Sequence, residues 1–219
     1  YARLFAKINF LKNMKDSLVV SSLAMLFGLA VSVTASYTFS RFRFPFRRFL
    51  LLQFLVINMF PIVLLLIPLF VLMARLGLRD TYAALVVAYA TFAIPFSTWM
   101  MTSFFNAIPR DLDEQAKIDG CNRWTAMVRV VIPIALPGIA ATAIYIFITA
   151  WNEFVFASVL TGNNVQTIPI ALQNMVGQYQ IEWGLLTAGG VVSAIPVIVL
   201  FFFIQKQLIT GMTAGAVKG

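Results

Sequence analysis

The chain has 219 residues, 61% hydrophobic and only 11% charged, with a mean hydropathy of +0.90, whereas a soluble domain carries about 25% charged residues. The composition is therefore that of a membrane protein, in which a net charge of +8 signifies basic cytoplasmic loops and not a nucleic-acid partner. There is no histidine and one cysteine, Cys121, which excludes disulfides within the chain, histidine metal sites and His-based triads, and leaves Cys121 as a small filler.

Taken in order, residues 1–16 mix Arg3, Lys7, Lys12 and Lys15 with Phe5, Phe10 and Leu11, the pattern of an external, interfacial helix. Tyr1 stands where a Met would open the chain, with no secretory-signal pattern after it, so a further part upstream is expected. The first apolar segment, about 18–40, is long enough to cross a hydrocarbon core of about 30 Å. Within it Ala24, Gly28, Ser32, Ser36 and Ser40 recur every four residues. A face of such small residues predicts tight packing on a neighbouring helix. A basic turn with Arg41, Arg43, Arg47 and Arg48 around Phe42, Phe44, Pro45 and Phe46 follows. The second segment, about 49–73, carries Gln53 and Asn58 and is interrupted by Pro61 and Pro68, whose freed carbonyls need neighbours or water. A loop with Gly77, Arg79 and Asp80 leads to the third, about 83–105, with Pro95 and Trp99.

The polar interval 106–129 is built as a folded object and not as a link. Asp111, three residues before Glu114, predicts a capping box. A helix is expected from Leu112 to Ile118, stopped by Gly120 in the left-handed conformation. A second short helix is expected from Asn122 through Trp124, Met127 and Val128, ending at Pro133. A fourth apolar segment, about 130–158, precedes a loop over 160–183 with Gly162-Asn163-Asn164, and the last segment is about 185–208. The glycine-rich tail, 209–219, is expected to be extended. The fold class is thus all-α, a polytopic transmembrane bundle with five visible spans in a single domain over 1–219.

Orientation follows from the basic residues. With residue 1 outside, the inner loops hold Arg41, Arg43, Arg47, Arg48, Arg110, Lys117, Arg123, Arg129, Lys206 and Lys218, ten in all, against six outside (Arg3, Lys7, Lys12, Lys15, Arg75 and Arg79). The positive-inside rule then places the 106–129 elbow and the tail in the cytoplasm.

For chemistry, no Gly-x-x-x-x-Gly-Lys-Ser/Thr loop is present, so the chain cannot cradle ATP phosphates. It reads as a non-enzyme, with no catalytic residue, metal or cofactor of its own. Glu153 is the one acidic residue at apparent membrane depth, which reads either as part of an aqueous path or as a structural hydrogen-bonding group. Asn58, Trp99 and Asn152 are weaker path candidates: sugars need amide hydrogen bonds and an aromatic face, yet each could equally serve helix packing.

The elbow also resembles a family. Glu114-Gln115-Ala116, three residues, Gly120, nine residues and Val130-Val131-Ile132-Pro133 reproduce the Glu-Ala-Ala loop of the permease subunits of binding-protein-dependent ABC importers. Gln115 stands for the middle alanine. Further fragments in order, Arg43-Phe44-Pro45, Leu76-Gly77-Leu78, Trp151-Asn152-Glu153-Phe154 and Gly215-Ala216-Val217-Lys218-Gly219, are similar to the maltose/maltodextrin type. The resemblance implies an ABC permease fold with a further helix upstream, in a bacterial or archaeal inner membrane. It implies as partners a second permease subunit, an ABC ATPase dimer that holds ATP and Mg, an external solute-binding protein and a carbohydrate, in contact with membrane lipid. It implies coupling to the ATPase through Asp111, Glu114, Gln115, Ala116, Asp119, Gly120 and Trp124, with tail contacts from Gly215 and Lys218. Permeases for a polyol or glycerol phosphate, an ion-coupled secondary transporter and a membrane scaffold are the alternatives. The secondary carrier is disfavoured by the lack of paired acidic residues in the spans.

Overall fold

A computed structural model describes residues 4–5, 9–176 and 182–216, with side chains to 205. Among the described residues three helices are long and apolar enough to cross a membrane: α1 (Phe10–Arg41), α4 (Tyr82–Ala107) and the apolar part, Trp183–Gln205, of α10 (Trp183–Ala216). The expected second and fourth spans are sharply bent pairs, which bring the number of spans to five where each pair is taken as one. The second is α2 (Arg47–Met59), a 3₁₀ turn (Ile62–Leu65) and α3 (Leu66–Arg75), bent by 94°. Pro61 explains the break: it has no N–H to continue the ladder and forces Phe60 into the extended conformation seen there (ψ 132°). Pro68 sits in the first turn of α3, where a missing N–H is harmless.

The fourth span begins later than expected. After the elbow helices α5 (Asp111–Ile118) and α6 (Arg123–Ala126), a π turn (Met127–Val131) and one α turn (Ile132–Ile134) run through Pro133 without stopping there. The chain bends by 82° at Ala135 and only then enters α7 (Leu136–Trp151). A short α8 (Val155–Leu160) follows. The segment expected as a plain loop contains α9 (Ile168–Gln173), with Pro169 in its first turn. Of the expected interfacial segment, the part from Phe10 onward is the start of α1, and residues 1–3 and 6–8 lie outside the described residues. The tail is not extended over 210–216, since α10 continues to Ala216, propagation adding one hydrogen bond per residue fixed.

The core is α1 laid against α4 and α7, which also touch each other. The small-residue row on α1 makes this possible: Ala24, Gly28, Ser32, Ser36 and Ser40 are all buried. Small side chains let backbones approach, and dispersion then holds them. Gly138 of α7 faces the Phe104 ring so closely that a Cβ would overlap it. At one end Val20, Ala24, Leu85, Ala88, Phe156 and Leu160 form a cluster; toward the elbow Val33, Tyr37, Met101, Phe105, Met127 and Val131 form another. The outer helices differ: α2 packs on α4 yet contributes no buried residue, and the apolar part of α10 packs on α7 with many residues half-buried and few fully buried.

Candidate functional site

The elbow is anchored before it is shaped. Asp113, on the first turn of α5, is 5% exposed and accepts from the Tyr37 hydroxyl at 2.8 Å. Its other oxygen lies 2.8 Å from Arg41 Nε. Arg41 also donates to the Phe105 carbonyl at 3.0 Å, Arg110 Nη2 to the Ser40 carbonyl at 2.6 Å, and Ser40 Oγ to Asn106 Oδ1 at 2.9 Å. The last turn of α1 thus grips both the end of α4 and the start of α5. The sequence reading missed Asp113. The available signal was an Asp and an Arg in segments flanking apolar spans, which pairing would neutralise on burial.

The capping box does not form. Asp111 is the first helical residue of α5, and Arg110 before it is already helical (φ −70°, ψ −23°) with no side-chain cap. Its bond to Ser40 fixes that geometry, and Asp111, Asp113 and Glu114 instead favour the positive helix N-terminus through the dipole. The end of α5 is as expected. Gly120 has φ +85°, its N–H donates to the Lys117 carbonyl (3.1 Å), and the Cys121 N–H donates to the Ala116 carbonyl (2.9 Å), the Schellman pattern. Asn122 caps α6, accepting from the Thr125 N–H at 2.8 Å.

What this rigid turn presents is apolar. Ile118 is 85% and Trp124 64% exposed, while Ala116 is buried beneath them. Glu114, Gln115 and Asp119 are exposed as well. Behind the elbow lies a cavity of about 250 Å³ lined by Arg43, Arg110, Glu114, Lys117 and Arg123 among others, with Arg123 over the Phe42 ring at 4.7 Å.

At the opposite end a second set of carboxylates pins the 161–168 loop. Asp80 (φ +60°) accepts from the N–H groups of Gly162 (2.8 Å), Asn164 (3.0 Å) and Val165 (3.0 Å). Burial pushes the Asp80 carboxyl up, but these backbone donors outweigh it and hold it below the usual carboxylate range. Asp16, 1% exposed on α1, accepts from the Tyr82 hydroxyl (2.7 Å) and the Gln166 N–H (3.0 Å), and Ser17 accepts from the Ile168 N–H (2.7 Å).

The path candidates are not gathered into one pocket. Trp99 is 38% exposed and packs on Phe96, which meets Tyr145 of α7 at 4.7 Å. Tyr145, Thr149 and Asn152 follow at helical spacing on that face of α7. Asn152 also lines a cavity of about 370 Å³ with Trp151, Phe154, Gln173 and Ser193. Asn58 is exposed and bonds its own helix at the Phe54 carbonyl (2.9 Å). Glu153 turns toward α8, accepting from the N–H groups of Phe156 (2.9 Å) and Ala157 (3.1 Å). Among the described residues no three His, Cys, Asp or Glu side chains converge as a metal site would require. Gly215 lies in α10, and Lys218 lies outside the described residues.

Residues 24–214 match the family described as binding-protein-dependent transport system inner membrane component. The sulfoquinovosyl glycerol transport system permease protein SmoH of Agrobacterium fabrum is 36% identical over 205 residues, which is 93% of this chain and 72% of that protein. The trehalose/maltose transport system permease protein MalG of Thermococcus litoralis is 35% identical over 214 residues, 97% and 77% of the two chains. Among solved structures, a chain of a bacterial ABC transporter involved in the import of the acidic polysaccharide alginate superposes with a TM-score of 0.79 at 24% identity, covering 94% of this chain and 78% of that one. That last likeness concerns the fold.

Proposed function

The chain belongs to the family of binding-protein-dependent transport system inner membrane components, and we propose that it is the permease subunit of an ATP-driven importer of a carbohydrate. The observation that carries the mechanism is the elbow: an exposed apolar turn, Ile118 and Trp124, lashed through Asp113 to α1. A partner that closes against that turn moves α1, because the Asp113–Arg41 and Arg110–Ser40 contacts leave the elbow no independent hinge. That partner is an ABC ATPase carrying ATP and Mg, met in the cytoplasm of a bacterial or archaeal cell by Asp111, Glu114, Gln115, Asp119, Gly120 and Trp124, with Ala116 packed beneath them and Gly215 and Lys218 as the tail's contacts. The pinned 161–168 loop faces the external solute-binding protein. A second permease subunit closes the route.

The carbohydrate assignment is supported by the relatives named for sulfoquinovosyl glycerol and for trehalose/maltose. Along the route Trp99 offers an aromatic face, Asn58 and Asn152 amide groups, and Glu153 shapes the wall by fixing α8. The test is reconstitution of the intact complex in proteoliposomes with ATP inside and labelled disaccharides outside, after mass spectrometry of the solute retained by the purified binding protein. Uptake that requires ATP and the binding protein is the expected result. Uptake on an ion gradient without ATP would overturn the mechanism, and a retained non-carbohydrate would overturn the substrate class alone.

A further inference from the structure

The turn joining α1 to α2 carries a group of cations that the elbow does not use. Arg43, Arg47 and Arg48 line a cavity of about 340 Å³ with Phe44, Phe46 and Phe49, and no carboxylate lines it. Among the described residues none of the three guanidiniums has a hydrogen bond or ion pair, and Arg48 and Arg110 lie close enough to repel Arg47. Each guanidinium presents a planar fork suited to phosphate oxygens. Beside them the surface turns apolar. Phe46 is 77% and Phe49 56% exposed, Phe46 being held outward by a left-handed backbone (φ 61°) rare for an aromatic residue. Beyond them α2 exposes Leu50, Leu52, Val56 and Ile57 along its length.

We propose that this turn binds the phosphate headgroup of an anionic phospholipid, with the acyl chains running along the open face of α2. Free phosphate would satisfy the arginines yet leave the adjoining phenylalanine and leucine side chains without a partner. A phosphate that carries hydrocarbon satisfies both halves of the site, and the turn sits where a spanning α1 ends, at headgroup level. The inference rests on the reading of the chain as a spanning permease, which topology reporters test separately.

The experiment is native mass spectrometry of the intact transport complex in mild detergent, titrated in turn with phosphatidylglycerol, phosphatidylcholine and inorganic phosphate. The ratio of lipid-bound to lipid-free complex is read, so a lower yield of a variant does not affect the result. Phosphatidylglycerol is expected to bind in preference to phosphatidylcholine and to resist displacement by millimolar inorganic phosphate. Arg47→Gln and Arg48→Gln should each weaken it about fivefold, while Arg75→Gln, at the far end of α3, should not. Equal binding of phosphatidylglycerol by parent and variants would overturn the proposal. So would displacement by inorganic phosphate, which would mark a free-anion site. Loss of another subunit from the variants with lipid binding unchanged would show the turn to be a protein interface instead.

Discussion

A carboxylate withdrawn from water must find its partners in the fold, and Asp113 finds two on α1. Removing one member of a buried ion pair leaves the other charge uncompensated, at a cost of about 3–5 kcal/mol. Asp113→Asn should therefore lower the melting temperature of the complex, while Arg41→Gln/Asp113→Asn should be less destabilised than the sum of the single changes. Additive effects in that double-mutant cycle would show that the pair does not fasten the elbow. The sequence pointed toward Glu114 and Asp119, which face solvent, and passed over Asp113, one residue away. The reason is physical: on a short helix that packs on one side only, adjacent positions differ by about 100°. Which side faced α1 depended on tertiary packing. Glu153 shows the same limit. Its type and depth were legible, but its orientation onto the α8 amide groups depends on a break after Trp151. Glu153→Gln keeps one accepting oxygen of two, so it should reduce complex yield and melting temperature with solute-dependent uptake per assembled complex retained. Altered uptake at normal yield would make it a path residue in its own right.

At the scale of elements, what was legible was what local chemistry decides: the end of α5 at Gly120, the start of a second short helix at Asn122, and the small-residue row of α1. Bends were not, because hydropathy is blind to direction. Segments 49–73 and 130–158 read as spans, and only the backbone places 94° and 82° bends near Pro61 and Ala135. Gly120→Val forces a β-branched residue to a φ of +85°, costing about 1–2 kcal/mol. Its absent Cβ would meet nothing within 4 Å, so the effect is purely one of backbone. Gly120→Asn should accordingly keep most ATPase coupling where Gly120→Val loses it, and equal loss in both would refute the left-handed cap as the cause. The Asp80 clamp supplies a pH test. A carboxyl whose folded pKa is depressed stabilises the fold above its unfolded value, near pH 4, and that contribution is lost as pH falls through the folded value. Hydrogen-exchange protection of Gly162, Asn164 and Val165 should thus persist from neutral pH down to about pH 4 and fall away below it. In Asp80→Asn it should be weak even at neutral pH. Protection unchanged in the variant would mean that the loop is held by other contacts.

Across the whole molecule, α1 is fixed at both ends. The elbow holds it through Arg41 and Ser40, and the opposite loop holds it through Asp16 and Ser17, whose partners lie on α4 and at the entrance to α9. Between these ends its small-residue face is buried against α4 and α7. Such a body has few low-cost internal rearrangements, because packed interiors shift between discrete arrangements and do not stretch. The elbow and the 161–168 loop should therefore move together, while α2, which contributes no buried residue, is free to slide against its neighbours. Spin labels at Ile118 and Asn163, both exposed, should keep their separation within about 2 Å between nucleotide-free and ATP-bound complexes if the body is rigid. Labels on the same elbow position in the two permease subunits should change separation by more. A change of several ångströms between Ile118 and Asn163 would mean that α1 flexes within the subunit, and the elbow would then act on the route by bending the bundle and not by carrying it.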